Sequence, residues 1–104
     1  MISANNMGTA KKISGLFFFD PSDRIYKDHF PGNPIVPGSL IINAFMDVLK
    51  NHRIIDKNCS IRNFRFKLFI EPGEYRYEIH CGEPAFKCRL FKNETLAVSG
   101  EVII

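Results

Sequence analysis

Apolar residues first gather at Ile13 to Phe19 (ISGLFFF), an aromatic run that closes on Asp20-Pro21-Ser22-Asp23, and a short apolar stretch bounded by turn residues predicts a strand. From Lys27 to Gly38 the segment KDHFPGNPIVPG interleaves prolines and glycines, which excludes regular helix or central strand and predicts a rigid loop. Pro37-Gly38-Ser39 then opens a helix running to about Asn51. Leu40, Ile41, Ile42, Ala44, Phe45, Met46, Val48 and Leu49 cover most of its circumference, so it is expected to be largely buried. Ser39, Asn43, Asp47 and Lys50 or Asn51 fall three to four residues apart and form one narrow polar stripe.

Four further strands are predicted: Arg62 to Ile70, Tyr75 to Cys81, Ala85 to Phe91 and Thr95 to Ile104, separated by proline, glycine and asparagine turns. Along the second of these, Tyr75, Tyr77, Ile79 and Cys81 alternate with Arg76, Glu78 and His80, the period of a strand with one face buried. Strands that follow one another predict an antiparallel meander. The whole reads as an α+β fold, an antiparallel sheet curled round one long buried helix at about residues 38–51.

The chain of 104 residues suits one domain, residues 1–104, with residues 1–12 expected to be a partly ordered N-terminal segment. With 45% hydrophobic and 24% charged residues it has the composition of a soluble globular protein. No apolar run reaches the ~18 residues of a membrane span, and Met1 to Lys12 carry no export signal, so a cytoplasmic location is expected. Cys59, Cys81 and Cys88 are odd in number and lack metal-binding spacing, which argues against a disulfide framework, structural zinc and a nucleophilic cysteine. The net charge of +3 is scattered, unlike the stripe of a nucleic-acid binder, and suits an acidic protein partner.

The loop His29-Phe30-Pro31-Gly32-Asn33-Pro34-Ile35-Val36-Pro37-Gly38 resembles the HFPGxPxxPG signature of the FabA/FabZ hydroxyacyl carrier-protein dehydratases. The likeness continues into Leu40-Ile41-Ile42 and, more weakly, into Phe64 to Gly73 (FRFKLFIEPG). It implies a single hotdog domain, a homodimer with two interfacial sites, and dehydration of a (3R)-hydroxyacyl group carried on the phosphopantetheine of an acyl carrier protein or CoA. A trimer of dimers is a further assembly open to it. No metal or organic cofactor is implied.

The resemblance places the catalytic base on His29, whose imidazole titrates near neutrality. It places the oxyanion donors at the backbone amides of Gly38 and Ser39, where a helix start offers unpaired N–H groups and a positive dipole end. Phe30 and Pro37 of the same loop are expected to join Gly38 and Ser39 in binding the substrate. The acidic residue of the family falls on Asn43, an amide that orients a hydroxyl or a water and delivers no proton, so reduced activity is expected. Asp47, one turn along the same stripe, is the nearby carboxylate that could stand in. His52, at the helix end, and His80, on a polar strand face, read as structural. Three functions stay open: a dehydratase-like lyase, a non-catalytic acyl-thioester or carrier-protein binding subunit that pairs with an active relative, and a hotdog thioesterase in which Asn43 or Asp47 orients a water.

Overall fold

The computed structural model of the chain describes residues 11–28, 32, 34–55 and 58–104. Its elements are β1 (Lys11–Phe19), a four-residue helix α1 (Ile25–Asp28), the long helix α2 (Gly38–Asn51), β2 (Ser60–Phe66), β3 (Gly73–Cys81), β4 (Ala85–Lys92) and β5 (Thr95–Ile103). The strands form one five-stranded antiparallel sheet in the order β1-β3-β4-β5-β2.

The expected meander is therefore only partly present. β3, β4 and β5 follow one another, but β2 lies at the far edge, paired with β5. The strand predicted to run to Ile70 stops at Phe66. The amides of Lys67 and Leu68 then both turn to the Ala97 carbonyl, at 2.8 and 3.2 Å. From there residues 67–72 must pass two intervening strands to reach β3, a crossing of roughly 14 Å that six extended residues can make. Pro72, which has no amide to give a ladder, belongs in such a connection and not in a central strand. The Tyr75 hydroxyl donates to the Glu71 carbonyl at 2.6 Å and fixes the end of the crossing.

One face of the sheet packs on α2. Phe45 is the central contact, with ring centroids 5.0 Å from Phe17, 6.1 Å from Tyr77 and 6.3 Å from Phe64. Phe17 stacks on Tyr77 at 4.1 Å, and the Tyr77 ring lies across Gly15, its register partner, where an added Cβ would come within 2.9 Å of the ring. The predicted alternation of β3 holds: Tyr77 and Ile79 are buried, while Arg76 is exposed and Glu78 and His80 are half-exposed. The helix is less enclosed than its composition predicts. Ile41, Phe45 and Leu49 are buried, whereas Leu40, Ile42, Ala44, Met46 and Val48 are half-buried in the single chain.

The ends of α2 are set by backbone geometry. Pro37 caps the start in an extended conformation, its carbonyl accepting from Leu40 and Ile41 at 3.0 and 3.3 Å. At the other end Arg53 adopts φ 59°, its amide bonds the Lys50 carbonyl at 2.9 Å and the Ile54 amide reaches back to Leu49 at 2.9 Å. These two bonds form the Schellman arrangement that closes many helices.

Candidate functional site

Two depressions flank α2. The first, about 370 Å³, lies at the helix start between Ile35–Gly38 on one side and Phe66 with Leu68–Ile70 on the other. Its wall is apolar, and Phe66, Leu68 and Phe69 are 42%, 39% and 76% exposed. Proline geometry fixes one side, and a hydrogen bond of 2.8 Å from the Val36 amide to the Ile70 carbonyl ties it to the crossing segment. Among the described residues nothing accepts a hydrogen bond from the amides of Gly38 or Ser39. The helix start therefore keeps two free donors, with the positive end of the helix dipole behind them.

Gly38 serves packing as well as access. A Cβ there would lie 2.8 Å from Cζ of Phe66, so the missing side chain is the space in which this ring rests. Pro37 and Gly38 both line the first depression, and Ser39 is exposed beside it.

The second depression, about 270 Å³, is lined by Phe18, Asp20, Asp23, Tyr26, Asn43 and Asp47 among others. Asn43 and Asp47 thus share one cleft, as the stripe on the helix predicts, and both are exposed. Two of the three carboxylates here have local duties. Asp20 accepts from the hydroxyl and the amide of Ser22 at 2.7 and 2.8 Å, and these bonds hold its carboxyl below the usual range. Asp23 accepts from the Ile25 amide at 3.1 Å at the start of α1. Asp47 has no partner among the described residues. Burial pushes the Tyr26 hydroxyl up, so it stays protonated and able to donate.

Gly38 and Asn43 are five positions apart, roughly 140° round the helix axis, and in one chain they open into different depressions. His29 and Phe30 lie outside the described residues. Sequence reading misses Tyr26, because the DRIYKD segment reads as loop, and misses Phe66 as the cover of Gly38, because the apolar pattern there reads as one strand to Ile70. The thiols stand apart from both depressions, and burial pushes Cys88 up to about 12 and also raises Cys81, which disfavours the thiolate form of both. Among the described residues no group of three or more His, Cys, Asp or Glu is placed to hold a metal ion, and no helix is long and apolar enough to cross a membrane.

A five-stranded antiparallel sheet with one long helix against it is the hotdog-like architecture of acyl dehydratases. The family model described as ApeI dehydratase, ApeI-like, matches residues 5–101, and the chain belongs to that family, of the FabA/FabZ type. Similar curated relatives are 3-hydroxyacyl-[acyl-carrier-protein] dehydratases FabZ. That of Thermomicrobium roseum is 35% identical over 71 residues, 60% of this chain and 48% of the relative. That of Lactiplantibacillus plantarum is 31% identical over 61 residues, 51% and 42% of the two chains. The matched part thus spans about half the length of these relatives or less. Among solved structures, the dehydratase heterocomplex ApeI:P from Xenorhabdus doucetiae superposes with TM-score 0.74 at 19% identity, covering 93% of this chain and 89% of that one. A protein from Erwinia carotovora subsp. atroseptica superposes with TM-score 0.67 at 22% identity, covering 90% and 82%.

Proposed function

We propose that the protein is a (3R)-hydroxyacyl-thioester dehydratase of reduced activity that works as a homodimer on substrates carried by phosphopantetheine, of an acyl carrier protein or of CoA. The observation that carries this reading is the pair of unpaired amides, Gly38 and Ser39, at the head of an apolar depression. In the proposed reaction His29 takes the α-proton, and the electron pair moves toward the thioester carbonyl, whose oxygen gathers charge that the two amides meet. The pair then returns to form the Cα–Cβ double bond as the Cβ–O bond breaks, and the hydroxyl leaves as water with the proton that the His29 imidazolium gives back. No metal or organic cofactor is needed for these steps.

Asn43 orients the departing hydroxyl, and Asp47 supplies the nearest carboxyl in its cleft. Because Gly38 and Asn43 face apart in one chain, the reading assigns them to opposite subunits of the dimer. The half-buried flanks of α2 fit this, since a second copy would complete their burial. The test is hydration of an enoyl thioester, the reverse reaction. Wild type should turn over slowly, His29→Ala should not turn over at all, and Asn43→Glu should gain about 100-fold or more by restoring an acid. Equal rates in all three would overturn the reading.

A second reading is favoured by Asn43 together with the likeness to a dehydratase that is itself a heterocomplex. In it the chain is a subunit that binds the acyl thioester and pairs with an active relative. Native mass spectrometry of the chain mixed with such a relative separates the two, since a purely homomeric, active preparation excludes this one.

A further inference from the structure

On the face of the sheet turned away from α2 the charges divide into two halves. Toward β1 and β3, Glu78 gathers Arg76 at 2.7 Å, His80 at 3.4 Å and Lys12 at 3.8 Å. Arg76 also lies 4.1 Å from the centre of the Phe91 ring. Toward β4, β5 and β2 the pairing is incomplete. Glu101 is taken by Arg62 Nε at 3.3 Å and by the Asn63 side-chain amide at 3.4 Å. No described carboxylate stands within ion-pair reach of Arg65, Lys87 or Arg89, all of them exposed.

The register brings these cations together. Arg65 of β2 and Arg89 of β4 both stand opposite Ser99 of β5, so Arg65, Ser99 and Arg89 form one row across three strands. Lys87 lies one step along β4 on the same face, and the group rims a depression of about 280 Å³. A bulge in β2 builds the row: the ladder slips between Arg62 and Arg65, with Asn63 at φ 57°. Without the extra residue, Arg65 would pair with Val98, a position fully buried in the core. The bulge turns a cation outward into line with Ser99 and Arg89. Carboxylates stand opposite two of the cations in the register, Glu78 across from Arg89 and Glu101 across from Lys87, and Glu101 also lines the depression, but neither comes within ion-pair distance, so the guanidinium and ammonium groups keep donors free.

We propose that Arg65, Arg89, Lys87 and the Ser99 hydroxyl form a binding site for a phosphate monoester dianion. Guanidinium forks match phosphate oxygens in pairs, the ammonium adds a point charge and the hydroxyl adds a central donor. A single carboxylate would leave most of these donors unused. The site lies on the face opposite the helix and does not depend on the reaction assigned above.

The test is a two-dimensional amide NMR titration of the full chain at low ionic strength with inorganic phosphate, against chloride at matched ionic strength. Saturable shifts at Arg65, Lys87, Ser99 and Arg89 with phosphate alone are expected. The Arg65→Gln/Arg89→Gln variant, whose fold is checked by its unchanged core resonances, should bind at least about tenfold more weakly. Glycerol phosphate and vesicles containing phosphatidic acid then distinguish a soluble ester from a lipid headgroup: a response to either, lost in the variant, supports the site. Equal responses to chloride and phosphate, or an unchanged affinity in the variant, would overturn it.

Discussion

Gly38 lacks a side chain, and the Phe66 ring occupies the room this leaves, 2.8 Å from where a Cβ would stand. Alanine at this position would favour a helix by its own propensity but must displace the ring, and overpacking of this kind costs about 1–3 kcal/mol. Gly38→Ala should therefore lower the midpoint of urea unfolding, and the same change in a Phe66→Ala background should not. The motif around His29 marks Gly38 in the sequence as the expected oxyanion position. The packing role was not legible, because it depends on where β2 ends, and that is decided by the Ala97 carbonyl drawing in the amides of Lys67 and Leu68. Tyr26 was missed for a related reason: a four-residue helix has too short a period to be read from spacing.

At the scale of elements, α2 ends on a left-handed residue that is not glycine. Arg53 at φ 59° carries a steric cost that glycine escapes, roughly 1 kcal/mol, while the two bonds of the Schellman closure hold it in place. Arg53→Gly should raise thermal stability by a few degrees in a chain of this size, measured by calorimetry. The helix and the β3 alternation were readable because each repeats a strong period over many residues. The place of β2 was not, since its bulge breaks the alternation and its partner β5 is distant in the chain. Nor could periodicity tell that only one stripe of the helix is covered by its own sheet, because apolar flanks read alike whether the cover comes from the same chain or from another.

For the whole molecule, the core contains a titratable group that prefers to stay neutral. Burial pushes the Cys88 thiol up to about 12, whereas in the unfolded chain a thiol titrates near ~8.5. Below the unfolded value this group does not change stability with pH. Above it the unfolded chain loses the proton that the folded chain keeps, so stability falls as pH rises toward 12, by up to about 1.4 kcal/mol per pH unit. Denaturant midpoints measured between pH 8 and 10.5 should fall less steeply in Cys88→Ala than in the parent, even though the variant starts lower because of its cavity.

The bond from the Val36 amide to the Ile70 carbonyl joins stretches far apart in sequence, on either side of the helix start. Its proton is thus a sentinel. If solvent hydrogen replaces it only as slowly as the slowest amides of β4 and β5, the mouth near Gly38 opens only when the entire molecule does. If it is replaced orders of magnitude sooner, the mouth breathes independently, and the acyl chain of the proposed substrate has a way in that leaves the sheet untouched.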